Sequence, residues 1–271
     1  MKNKIITLLF GIALLSCSSD DNSDNNTIGG SASDYLPQQQ GNYWIYDVNS
    51  DEFSGKDSLY VRGTTISQGD TYYTYESSQT PFGFYSGLMT SGQSRTSGSK
   101  IFMNGALGLG DLFGEGFDFE IALDNFVIFD ANASQGQTLD SESGGFTIPY
   151  SPEVELKVEY TLFSKSGQNY PNYTIPNGDY YESVKSATLT ISAKITANIV
   201  VSGFPFSYPI LDTQDVLSST QYYASTIGVI AVNTDFKYQL NEIPIPGYEL
   251  PMPQNFQSHT TEVLDDYLVE Y

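Results

Sequence analysis

Val154-Glu155-Leu156-Lys157-Val158-Glu159-Tyr160-Thr161-Leu162 decides the fold. Its apolar side chains fall at every second position, so one face of an extended strand packs inward while the charged face meets water. The run from Ala187 to Val201 repeats the alternation, with Ala187, Leu189, Ile191, Ala193, Ile195, Ala197, Ile199 and Val201 on one face. A run that long exceeds the usual strand of about five or six residues. It predicts a long curved strand, or two strands joined by a bend near Ala193 to Ala197, and small alanines on the inner face suit tight curvature.

The same chemistry recurs on both sides. Tyr43-Trp44-Ile45-Tyr46-Asp47-Val48 is aromatic and β-branched, as a strand requires. Asp57 to Ile66 and Thr71 to Glu76 flank Ser67-Gln68-Gly69-Asp70, a polar, glycine-containing connection of the kind that closes a hairpin. Phe117 to Leu123, Phe126 to Asp130, Gln221 to Ala224, Ile227 to Val232, Asp235 to Leu240 and Thr261 to Tyr271 are further strand candidates. In the last of these, Leu264, Tyr267, Leu268 and Tyr271 fit helical spacing, while Val263, Tyr267, Val269 and Tyr271 fit a strand, which is the reading adopted. An open sheet would leave an apolar face in water, so the strands must close, stack or be covered. The expected fold is all-β: one antiparallel domain over 34–271 forming a curved half-barrel or barrel-like sheet, with a β-sandwich as the alternative.

Composition narrows the chemistry. The 271 residues include 11 Lys and Arg against 32 Asp and Glu, a formal net charge of −21. A nucleic-acid partner is excluded, because phosphate binding needs a basic surface. One Cys precludes a disulfide framework or thiolate cage, and one His precludes His-rich metal sites and two-histidine mechanisms. Neither a metal nor a cofactor is expected.

The first residues carry an address. Lys2 and Lys4 precede an apolar run from Ile5 to Leu15, too short for the ~20 residues that span a bilayer, which reads as an export signal. Leu14-Leu15-Ser16-Cys17 resembles the lipobox of bacterial lipoproteins. That resemblance implies cleavage between Ser16 and Cys17 and acylation of Cys17 by palmitate-type chains. More than one chain brings attachment from marginal to stable, each buried methylene contributing ~0.8 kcal/mol. Removing Lys2 and Lys4 leaves nine basic residues against 32 acidic ones, a net charge of −23, so lipid rather than a basic patch must hold the chain to a membrane. The polar stretch Ser18 to Ser33 has almost nothing to bury and reads as a flexible acidic tether. Its acidic cluster is similar to the surface-export signal of Bacteroidota lipoproteins. The chain therefore divides into a signal peptide at 1–16, an acylated Cys17 with its tether at 17–33, and the β domain at 34–271.

The resemblance extends into the domain. Tyr35-Leu36-Pro37-Gln38-Gln39-Gln40-Gly41-Asn42-Tyr43-Trp44-Ile45-Tyr46 is similar to the opening of uncharacterised Bacteroidota outer-membrane lipoproteins, and Gln221 to Ile230 resembles another of their segments. Some of those proteins look like the curved half-barrels of lipoprotein carriers. The resemblance implies the outer membrane as the location, with the domain facing the cell surface or, alternatively, the periplasm.

Catalytic motifs are scarce. No Gly-x-Ser-x-Gly elbow, His-Glu-x-x-His pair or phosphate loop occurs. The glycines from Gly105 to Gly116 lack dinucleotide-loop spacing and read as an apolar loop able to act as a flap. His259 lies in a polar stretch that reads as exposed loop, and the acidic pairs Asp265 with Asp266 and Asp118 with Glu120 select no site. Aromatics are the excess, with 21 Tyr and 16 Phe; the clustered Tyr72, Tyr73, Tyr75, Tyr180, Tyr181, Tyr222 and Tyr223 are the candidate ligand contacts, since tyrosine faces can stack on sugar rings. Pro244, Pro246, Pro251 and Pro253 mark Ile243 to Asn255 as an extended loop serving as a binding rim or an edge cover.

The function expected is a non-enzymatic, membrane-tethered binding module for a glycan, a small apolar ligand or a partner outer-membrane protein. The alternative is a periplasmic lipid or lipoprotein carrier whose apolar concavity is lined by the Ala187 to Val201 face. A hydrolase using paired carboxylates is the third class.

Overall fold

The computed structural model describes residues 30–108, 120–201, 203–242 and 253–271. The residues read from sequence as signal peptide and most of those read as tether, with Cys17, Asp118 and most of the Ile243 to Asn255 segment, lie outside them. The described chain is all-β, a single sheet of twelve antiparallel strands curved into a nearly closed barrel. In chain order these are β1 (Tyr43–Ser50), β2 (Ser54–Ser67), β3 (Asp70–Glu76), β4 (Gln93–Ser97), β5 (Lys100–Gly108), β6 (Glu120–Asp130), β7 (Thr138–Ser151), β8 (Val154–Thr174), β9 (Tyr180–Val201), β10 (Phe204–Ala224), β11 (Gly228–Gln239) and β12 (Asn255–Leu268). Two helices accompany them, α1 (Ala32–Tyr35) and α2 (Phe84–Ser91).

Every strand pairs with its chain neighbour except at one place, and β1 pairs with β12 to join the two halves. The run from Ala187 to Val201 lies in one strand, β9. The expected bend appears in its neighbour: β10 shifts register between Pro209 and Leu217, opposite Ile191 to Thr196. The β2–β3 hairpin forms as its sequence requires, with both Gln68 and Gly69 at positive φ in the two-residue turn. Thr261 to Leu268 is strand, and Ile227 to Val232 with Asp235 to Leu240 merge into β11.

The exception is the seam between β6 and β7, the two end strands of the sheet order. Side chains bridge it. Val127 N–H donates to Asp140 Oδ2 at 3.0 Å, Ser164 Oγ donates to the Val127 carbonyl, and Lys185 Nζ donates to the Ala131 carbonyl. Three successive strands thus hold the backbone at and just beyond β6, which shields an edge that would otherwise invite pairing. Asp140→Ala and Ser164→Ala are each expected to cost about 1–2 kcal/mol, read as a lower urea midpoint at unchanged slope.

One end of the barrel is filled by α1. Ala32 N–H donates to Gly98 O, Thr226 N–H donates to Asp34 O, and the buried Tyr35 ring packs on Phe129 at 5.1 Å. Ser31 Oγ also reaches Gly98 O, so residues assigned from sequence to the tether belong to the packed body. At the other end lie the β1–β2 turn, the entry to α2, and the arms of β7 to β10. Those arms expose Val200, Phe204 and Phe206.

Candidate functional site

Helix α2 lies inside the curve of the sheet. Its sequence, Phe-Tyr-Ser-Gly-Leu-Met-Thr-Ser, contains a glycine, two serines and a threonine and has little intrinsic helix preference. Its N-cap, Gly83, has no side chain to cap the first turn. Two carboxylates from the sheet do so instead. Asp57 on β2 accepts from Phe82 N–H at 2.9 Å and Gly83 N–H at 2.7 Å. Glu262 on β12 accepts from Tyr85 N–H at 2.7 Å, Ser86 N–H at 3.0 Å and Ser86 Oγ at 2.7 Å. These bonds satisfy donors that a helix start leaves open, and negative charge complements the helix dipole there.

Both carboxylates are buried, and no cation bonds to either among the described residues. Burial pushes the Glu262 carboxyl up to about 7; the hydrogen bonds from Ser86 and Tyr85 pull the other way, and the nearby Asp57 charge adds to the rise. Tyr46 and Tyr85, which meet edge to face at 6.1 Å, are both held well above the ordinary tyrosine range by burial. Gly83 must stay glycine: a Cβ there would stand 2.2 Å from Glu262 Cδ.

Between α2 and the inner faces of β10, β11 and β12 remains a cavity of 480 Å³, within the range of small-molecule sites. Phe84, Gly87 and Leu88 form its helix wall; Leu217, Phe236 and Phe256 form the sheet wall; Phe53, Phe82 and Leu107 stand around it. Phe236 and Phe256 meet at 5.6 Å and Phe53 and Phe82 at 5.5 Å, so aromatic pairs fix two sides. The hydroxyls of Ser91, Thr234, Ser258 and Thr260 are the polar groups of the lining. A Cβ added at Gly87 meets nothing within 4 Å, which makes that glycine an open stretch of wall.

The tyrosines singled out from sequence do not gather into one site. Tyr72 and Tyr223 are fully buried and Tyr75 nearly so. Tyr72 donates to Asn125 Oδ1, Tyr75 shares hydrogen bonds with Gln38 and Ser94, and Tyr223 packs on Phe129 at 4.3 Å. Tyr222 is half-buried beneath Tyr173, with which it stacks at 4.7 Å, so its face is already used. Tyr73 and Tyr181 are half-buried and Tyr180 is exposed.

The remaining candidates are also dispersed. His259 Nδ1 pairs with Asp235 Oδ1 at 2.8 Å on the exposed face, in a strand rather than a loop. Asp265 bonds Lys56 at 2.7 Å, while Asp266 accepts from Tyr43. Gly105 to Gly108 form the end of β5 instead of a loop, and residues 109–119 lie outside the described chain. The Ala187 to Ile199 face is buried in the packed core, alongside its ladder partners Leu156, Val158, Leu162 and Leu211, and none of its residues lines the cavity. Among the described residues no group of three His, Cys, Asp or Glu side chains could hold a metal, and no helix is long and apolar enough to cross a membrane.

Sequence reasoning missed both the cavity and α2. The one available signal was Phe82-Gly-Phe84, an aromatic pair in a segment without strand alternation. No protein-family model, curated protein or solved structure matches the chain.

Proposed function

We propose that this chain is a non-enzymatic, membrane-tethered binding protein that takes a small apolar ligand into the cavity between α2 and β10 to β12. The observation carrying this reading is the phenylalanine-lined space itself: five phenylalanines line a half-open cavity next to a helix whose facing residue is glycine. A recess of this size that leaves phenylalanine surface in contact with water gains stability when an apolar ligand covers that surface. The seven tyrosines singled out from sequence form no shared platform for a glycan: Tyr72, Tyr75 and Tyr223 are buried, Tyr222 is stacked on Tyr173, and only Tyr180 is well exposed.

Acylation of Cys17 would place the protein at the outer membrane, on the surface or periplasmic side. The described chain enters the barrel at the end filled by α1, so the cavity lies toward the end opposite the tether. The purified chain is expected to enhance the fluorescence of the neutral probe N-phenyl-1-naphthylamine in a saturable, one-to-one titration; no saturable enhancement removes the reading. Cys17→Ala is expected to move the chain from the membrane to the soluble fraction with probe binding intact, and its retention on membranes would refute the lipid anchor.

A further inference from the structure

We propose that the cavity selects an uncharged apolar chain bearing a hydroxyl or ester group and rejects its carboxylate counterpart. This deepens the apolar-ligand reading and rests on it. The lining divides into two zones. Phe53, Phe82, Phe84, Phe236 and Phe256 with three leucines form the apolar zone. Along β12, Ser258 and Thr260 form a short hydroxyl strip on the inward face, paired across the ladder with Phe236 and Thr234 of β11.

The hydroxyls are not equally occupied. Thr234 Oγ1 is already paired with Ser219 Oγ at 2.9 Å, and Ser91 Oγ donates to the Leu88 carbonyl. The Ser258 and Thr260 side chains have no partner among the described residues. Each offers a donor and two acceptor lone pairs, which match a neutral hydroxyl or ester.

Charge decides against an anion. Next on the same inward face of β12 after Thr260 comes Glu262, whose burial holds its carboxyl high; Asp57, Tyr46 and Tyr85 are the titratable groups around it. Among the described residues no Lys or Arg lines the cavity. Lys56 is turned to Asp47 and Asp265 on the outer face, and alternation places Lys237 opposite to Phe236 and Tyr238. Residues 109–119 and 243–252 contain no Lys or Arg in their sequence either. A carboxylate brought into this lining would lose its hydration without gaining a counter-charge, beside two buried acids.

The test displaces bound N-phenyl-1-naphthylamine from the full chain at pH 8 with dodecan-1-ol or dodecanoate. Dodecan-1-ol is expected to displace the probe at a concentration at least about tenfold below that of dodecanoate. Thr260→Val with Ser258→Ala is expected to weaken dodecan-1-ol about five- to tenfold relative to the variant's own affinity for the probe, measured by direct titration. Equal displacement by dodecanoate, or an alcohol affinity unmoved by the double substitution, overturns the selectivity while the cavity reading stands. Failure of the probe to bind at all overturns both.

Discussion

Glu262→Ala is expected to destabilise the chain by about 3–5 kcal/mol at pH 5, the largest effect of any single substitution at the site. The substitution strips the acceptor from Tyr85 N–H, Ser86 N–H and Ser86 Oγ, all buried, and leaves a void beneath the first turn of α2. The serine hydroxyl can turn to another acceptor, but the two backbone donors cannot. A loss of that size is a large share of the total stability of about 5–15 kcal/mol typical of a domain. Glu262→Gln keeps the shape and one acceptor oxygen and should cost less. Urea unfolding at fixed pH measures both.

The same carboxyl makes stability depend on pH. Its folded value of about 7 lies above the ordinary 4.5, so between those values the folded state holds a proton that the unfolded chain has released. Stability therefore falls as pH rises through this window and levels off above it, by up to about 3 kcal/mol for this group. The variant lacks that loss, so the cost of Glu262→Ala shrinks toward pH 8 by a similar amount. The difference between wild type and Glu262→Gln across pH 5 to 8 isolates Glu262 from the general self-repulsion of a chain carrying −21.

Gly87→Leu is expected to do the opposite: keep or raise stability while reducing affinity for the neutral probe at least about tenfold. A leucine at a helix-interior glycine gains up to about 1 kcal/mol in helix preference. Its Cβ meets nothing within 4 Å, so the side chain enters the cavity without overpacking the core. It then occupies volume that a ligand needs. Four residues earlier the result reverses: Gly83→Ala would drive a methyl into Glu262 and is expected to cost about 2–4 kcal/mol. The pair separates loss of fold from loss of binding within one helix.

Strand identity was legible because the chain alternates where one face is buried and the other is wet. Val154 to Leu162 shows this most clearly, and Ala187 to Ile199 follows it with its alternate residues half-buried and Thr190 buried. Short or two-sided strands gave weaker signals. β4, Gln-Ser-Arg-Thr-Ser, has no apolar residue, and β7 contains two glycines and a proline. The site was illegible for a physical reason. Helix α2 owes its form to Asp57 and Glu262, which lie 26 and 177 residues from the backbone groups they cap, so no local pattern announces it. The tyrosine clusters were visible in sequence, but alternation sent their members to different places: Tyr72 inward and Tyr73 to the partly exposed face, Tyr223 into the core and Tyr222 beneath Tyr173.

Methyl-resolved NMR of the chain with N-phenyl-1-naphthylamine tests the central claim most directly. Intermolecular NOEs from the probe to the Leu88, Leu107 and Leu217 methyls, with none to Leu59 or Ile101 in the packed core, are the predicted result. NOEs confined to Val200 on the exposed arm, or their absence from all three cavity leucines in a saturated sample, would contradict it.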